Sequence, residues 1–315
     1  MMAATEMRDI GRSGRKNRRR SRGAGATGAV LVGAAALLVA AALAAGCSRQ
    51  SPPQKALIHT TKAFDAIFGE LPPISVPGPC YATVAYFPSA REPGKVLPVP
   101  IFSAEQGKEE RLSVRTVIRG IAGAGGLSAK IAPPFPPGSD LDALSVEGGV
   151  AKIKVGGPFR AVDFPAIGRE AAARALALTV AQFGKAREID VTDATGTAHF
   201  RGTAEEAAVA DVGPPEVLGL LAIKEKMDRP ATVLSVLFDR PVFVEDIAFV
   251  AQGANVPVAG KLYATGFGMT AELHPDRAVS LNTRDAWRVK VKVRDGKGRR
   301  ADEDRSWTPK EVTRD

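Results

Sequence analysis

The strongest constraint on this chain is a run of 24 residues, Gly23 to Gly46, without a charged side chain, placed directly after the basic cluster Arg18-Arg19-Arg20-Ser21-Arg22. Its apolar core, Ala29 to Ala45, is rich in Ala and carries Leu31, Leu37, Leu38 and Leu43. A basic flank, an apolar core and a small-residue end make the pattern of an export segment. The cations stay on the cytoplasmic side because carrying them through hydrocarbon is costly. The rest of the chain is therefore read as what this segment delivers across a membrane.

The core ends in Leu43-Ala44-Ala45-Gly46-Cys47. This resembles a bacterial lipobox, although the Leu stands four rather than three residues before the Cys. The resemblance implies acylation of the Cys47 thiol and cleavage before it, so residues 1–46 are a signal peptide. Each buried methylene contributes about 0.8 kcal/mol, so two or more long chains hold a protein on a bilayer almost permanently. Two other readings remain open. At about 1.5 Å per residue, the uncharged run is long enough for an uncleaved transmembrane helix. It is also compatible with an ordinary cleaved signal in which Cys47 is incidental, but the lipobox pattern favours the lipoprotein over both.

With 315 residues, two modest domains after the leader are expected. The 32 Gly and 23 Pro point to turn-rich, strand-rich structure. A net charge of +9 suggests nucleic acid, but residues 1–46 hold eight Lys or Arg against Glu6 and Asp9, which is +6 of that total. About +3 remains on the mature chain, so no nucleic-acid partner is expected. With Cys47 acylated, Cys80 is a single thiol and reads as a small buried hydrophobe. A Cys47–Cys80 disulfide is possible only without lipidation.

Residues 47–77 read as a tether. Pro52-Pro53 and Pro72-Pro73 bracket Leu57, Phe64, Ile67 and Phe68, whose helix-like spacing leaves a docking helix as the alternative to a spacer. A first domain is expected over 78–204. Tyr81 to Phe87 is a strand, and Val96 to Phe102 a Pro-containing edge strand. Ser113 is placed as the cap of a helix with Val114, Val117, Ile118 and Ile121 inward. Glu147-Gly148-Gly149 turns a hairpin between Leu141–Val146 and Val150–Val155. A second helix runs from Arg169 to Phe183, with Glu170 and Arg174 paired on its wet side and Gly184 as its stop. A second hairpin sets Ile189 and Val191 against Ala198 and Phe200.

Residues 81–202 resemble the GerMN domain of extracytoplasmic proteins linked to sporulation, spore germination and actinobacterial envelope lipoproteins. The resemblance rests on Ala85-Tyr86-Phe87-Pro88, Leu97-Pro98-Val99-Pro100, and above all Pro136-Pro137-Gly138-Ser139-Asp140-Leu141 leading into Val146-Glu147-Gly148-Gly149-Val150-Ala151. It implies a small α/β domain with two helices on a sheet, used for envelope protein contacts and not known for catalysis.

After a linker near Thr203 to Pro215, residues 213–300 read as all-β. Strands are expected at Val217–Ile223, Thr232–Phe238, Asn255–Tyr263, Met269–Leu273 and Trp287–Arg294, the last alternating strictly. Val236-Leu237-Phe238-Asp239-Arg240-Pro241-Val242, then Val258-Ala259-Gly260, then the Trp strand ending in Asp295-Gly296, is similar to bacterial Ig-like domains of surface proteins. Residues 301–315 read as a charged, frayed tail.

The three histidines, His59, His199 and His274, lie in separate regions and form no metal-binding spacing. Gly123 to Gly126 follows a helix and lacks the Gly-Lys-Ser/Thr of a phosphate loop. Asp239, Glu245, Asp246 and Asp295 read as solvated turn acids in preference to calcium ligands. The row Arg288, Lys290, Lys292, Arg294 is the best surface feature, either a contact for anionic polymer or the wet face of a sheet.

The expectation is an α+β chain: a two-helix-on-sheet GerMN-like domain and an all-β Ig-like sandwich behind a lipoprotein leader. Its lipid attachment is at Cys47, with no catalytic, cofactor or metal residues. It would be held on the membrane by lipid and meet envelope proteins or cell-wall polymer. The alternatives are a cell-wall-active hydrolase or a small-solute-binding lipoprotein.

Overall fold

The computed structural model describes residues 57–73, 78–121, 125–164, 166–226, 229–254, 256–276 and 284–313. The leader, Cys47 and part of the Gly-rich turn fall outside the described residues. The described residues belong to one compact unit, and it contains two apolar cores.

The first core is built on two sheets. In one, β1 (Ile58–Thr60) lies parallel to β2 (Cys80–Pro88), which pairs antiparallel with β3 (Val96–Ser103). In the other, β4 (Asp140–Glu147) and β5 (Val150–Gly156) form a hairpin, β6 (Glu188–Asp193) joins β5 in parallel, and β7 (His199–Thr203) returns antiparallel. The helices are α1 (Lys62–Ile67), α2 (Glu109–Arg119) and α3 (Ala166–Ala181).

All three helices pack against β2. That is why β2 is buried almost throughout, without the alternation of a one-sided strand. Helix α3 is Ala-rich for a related reason. A Cβ added to Gly202 of β7 would sit 2.6 Å from Ala173 Cβ, so small residues on both sides permit the approach. The hairpin closes over Gly148 and Gly149, with φ of +57° and +80°, the left-handed geometry of a two-residue turn.

Three readings of this half are corrected. Residues 58–68, assigned to a tether, belong to the core: Phe64 is fully buried, and Phe68 lies beside it. Thr61 caps α1 by accepting from the Phe64 amide at 3.2 Å. Two Phe rings on one helical face are too apolar to leave in water. Ser113 is not a cap. The helix begins four residues earlier, and the buried Ser113 Oγ donates to the Glu109 carbonyl at 2.8 Å and lies 2.8 Å from Thr83 Oγ1. Arg174 is also directed elsewhere than expected, donating to the Gly94 carbonyl at 3.1 Å and facing Glu205 at 3.7 Å.

The second core lies between two further sheets. One has the order β11 (Gly260–Thr265), β12 (Thr270–Pro275), β9 (Val233–Phe238), β8 (Val217–Lys224), β15 (Lys310–Thr313). The other has the order β10 (Phe243–Ala251), β13 (Trp287–Arg294), β14 (Arg300–Trp307). In β13, Trp287, Val289, Val291 and Val293 are buried while Arg288, Lys290 and Lys292 are exposed, as the alternation requires.

Strand β10 has no counterpart in the sequence reading. Glu245 and Asp246 interrupt its apolar run, and the ladder bulges between Val244 and Asp246. The expected tail is also strand. Asp302 and Asp304 stand opposite Lys292 and Lys290, so its charges pair across the ladder. Among the described residues the class is α+β, with four sheets and few helices.

Candidate functional site

The meeting of the two cores is the most constructed place in the molecule. Lys130 Nζ leaves the first core and lies 3.2 Å from Asp239 Oδ2 and 2.8 Å from Glu216 Oε2. Arg240 forks onto Asp239, donating from Nε at 3.0 Å and from Nη2 at 2.8 Å, and its Nη1 donates to the Gly213 carbonyl at 2.7 Å. The same Nη1 is 3.5 Å from Asp295 Oδ2, which also accepts from Arg299 Nε at 2.6 Å. Arg299 then reaches the Ile67 and Val212 carbonyls at 2.7 and 2.5 Å.

Local sequence puts these groups in place. Asp239-Arg240-Pro241 leaves β9 at the seam. In Asp295-Gly296-Lys297-Gly298, Asp295 Oδ1 accepts the amides of Lys297 and Arg299, both at 3.0 Å. A Cβ on Gly296 would meet the Glu70 carbonyl oxygen at 2.0 Å, so only glycine allows this approach. Three cations face three carboxylates. Buried charge survives only when paired and hydrogen-bonded, and here each central charge has a partner.

A clasp lies at the same seam. Gly266, Phe267 and Gly268 have φ of +55°, +60° and +79°. The Phe267 ring stacks on Phe102 with centroids 4.3 Å apart and planes 7° from parallel. Beside it opens an apolar groove of about 600 Å³, lined by Ile101, Ile121, Leu221, Leu237 and Met269 among others.

Asp140, from the strongest GerMN-like block, is held by two arginines one helical turn apart. Arg115 Nε and Nη2 each donate at 2.8 Å, and Arg119 Nε and Nη2 at 2.8 and 2.5 Å. Led by the Arg115 bonds, they hold its carboxyl far below the usual carboxylate range. This residue ties α2 to β4.

The remaining candidates disperse. His59 stacks on Tyr81, His199 is exposed, and His274 Nε2 lies 3.2 Å from Glu272. Among the described residues no three His, Cys, Asp or Glu stand together to hold a metal ion. Asp239 and Asp295, read as solvated turn acids, are instead buried in the ion cluster. Glu245 faces Arg294 at 3.6 Å and Arg300 at 3.5 Å. Cys80 is a buried free thiol whose pKa burial raises. The basic row of β13 is matched by acids: Arg288 donates twice to Asp304 at 2.6 Å, and Lys292 lies 3.4 Å from Asp302. Sequence reasoning missed Lys130 and Arg299, whose partners are distant in the chain.

No family model matches the chain, and no curated protein does. Among solved structures it has a weak, partial likeness to the tandem GerMN domains of the sporulation protein GerM from Bacillus subtilis, at 12% identity and a TM-score of 0.30. The match covers 50% of this chain and 58% of that one, less than two thirds of its length.

Proposed function

We propose that this chain is an extracytoplasmic lipoprotein, anchored through Cys47, in which the two cores act as one rigid, non-catalytic module for contacts with envelope proteins. The observation that carries the reading is the charge-balanced cluster of Lys130, Asp239, Arg240, Asp295, Arg299 and Glu216, which fixes the cores to each other. A fixed seam suits a module that presents surfaces at a set angle. A hinged seam would suit closure on a substrate.

The GerMN-like motif residues support the domain reading of 78–204. The strand order β11-β12-β9-β8 opposite β10-β13-β14 supports the Ig-like reading of the second core, because it is that of a seven-strand Ig sandwich. Strand β15 is an addition to that plan. A link to sporulation or germination rests on family analogy alone.

The test is metabolic labelling with a fatty acid. The wild type incorporates label and fractionates with the membrane, and Cys47→Ala does neither. Label retained by Cys47→Ala overturns the anchor. The apolar groove of about 600 Å³ favours a second reading, a small-solute-binding lipoprotein. A melting temperature that rises with an apolar ligand would favour it.

A further inference from the structure

The sheet edges among the described residues are well protected in all but one place. Strand β14 carries five charged residues in its eight. Strands β4 and β10 are bulged, β3 holds Pro98 and Pro100, and β7 holds His199 and Arg201. Strands β1 and β15 are only three and four residues long. These are the devices by which free edges avoid pairing with another chain.

Strand β11 is the least protected. It runs in unbroken register against β12 from Gly260 to Thr265, and its single charged residue is Lys261. Leu262 and Tyr263 are each 47% exposed, and Val256 just upstream is 73% exposed. Of the six large apolar residues exposed among the described ones, three fall within residues 256–263.

We propose that β11 pairs antiparallel with β11 of a second copy of this chain, about a two-fold axis at Leu262. The strand is self-complementary in that register. Leu262 and Ala264 stand opposite Leu273 and Ala271, residues of the second core, so they lie on its core side. The axis sets Leu262 against Leu262 of the second copy and extends the apolar core across the join. On the other face Lys261 meets Tyr263, placing an ammonium over an aromatic ring. Gly260 meets Ala264 without a bulky clash. A slip of the axis by one residue toward Gly260 sets Lys261 against Lys261, and the like charges repel. The opposite slip replaces the leucine pair with Leu262 against Ala264. The contact is isologous and closes at two copies. It does not depend on the lipid anchor.

The test uses the full chain as expressed, in whichever fraction it is found. Residues directly opposite in an antiparallel pair have Cα atoms about 4.5–5.5 Å apart, which suits a disulfide. Leu262→Cys is expected to give a reducible dimer on mild oxidation. The wild type, with Cys47 and Cys80 alone, and Val162→Cys, at another exposed apolar position, are expected to give no disulfide-linked dimer, because neither places a thiol at the join. Leu262→Lys is expected to lower the dimer fraction in detergent sedimentation, and to melt with the wild type at dilutions where both are monomeric, since the site is half-exposed. A Leu262→Cys chain that reacts with maleimide yet forms no dimer overturns the proposal. So does capture of a different protein at that cysteine, or dimer formation by Tyr263→Cys in its place.

Discussion

Lys130 Nζ lies 3.2 Å from Asp239 Oδ2, and the two side chains, one from each core, are 9% and 8% exposed. Their environments beyond that contact differ, and the difference orders the cost of removing each. Asp239→Ala leaves both Lys130 and Arg240 without their shared carboxylate in a dry site, and is expected to cost about 3–5 kcal/mol. Lys130→Met leaves Asp239 with its Arg240 fork and returns the half-exposed Glu216 to water, so about 1–2 kcal/mol is expected. Equilibrium unfolding in urea measures both. A Lys130→Met loss as large as that of Asp239→Ala would show that the lysine, not the carboxylate, is the hub.

The Asp140 clamp predicts a pH dependence of defined sign. Arg115 and Arg119 hold this carboxyl below its ordinary range in the folded chain. The unfolded chain therefore takes up the proton first, at about pH 4. The stabilisation is present above that pH and is lost as pH falls toward the depressed folded value. Asp140→Asn is expected to cost on the order of 1–2 kcal/mol at pH 7, a range reduced for its partial exposure. The gap to wild type should shrink as pH falls below about 4. Thermal melts from pH 7 to pH 2.5 test this, and a gap that stays constant contradicts it.

Features with a short sequence range were legible. Gly148-Gly149 announces its hairpin, the Trp287–Arg294 alternation announces β13, and the apolar stripe of 114–118 announces α2. What was not legible depends on distant partners. Phe64 and Phe68 read as tether residues because nothing nearby in the chain indicates that β2 lies over them. Asp302 and Asp304 read as tail because their partners sit on β13 across a turn. The seam was the least visible part. Lys130 and Asp239 are separated by 109 positions, and a lone Lys after a Gly-rich turn gives no sign of burial. The acids at 239 and 295 read as turn residues, but three cations already occupy them.

The strained clasp inverts the usual order of helix and strand scales. Phe267 is the one non-glycine residue with positive φ among the described residues. Both Phe267→Ala and Phe267→Gly lose the stack on Phe102. Alanine keeps the left-handed strain and glycine removes it. Phe267→Gly should therefore be more stable than Phe267→Ala by about 1 kcal/mol. Denaturation midpoints of the two variants decide it, and an alanine variant that equals or exceeds glycine refutes the strain argument.

The basic face of β13 is engaged by its own sheet. A polymer phosphate that bound Arg288 and Lys290 would have to displace Asp304, which Arg288 grips through two bonds of 2.6 Å and which Lys290 approaches at 3.8 Å. Arg294 is likewise engaged, lying 4.0 Å over the Phe243 ring. Reversing Arg288 and Lys290 is therefore expected to shift elution from an anionic polymer column no more than the same reversal at the exposed Lys226 and Arg229. The ladder should respond in stability instead. Arg288→Asp and Asp304→Arg each lower the melting temperature, and the double exchange recovers most of the loss, less so at high salt. A specific loss of polymer retention on reversing Arg288 and Lys290, with a gain in Asp304→Asn, would make this face a binding surface held in reserve by its own acids.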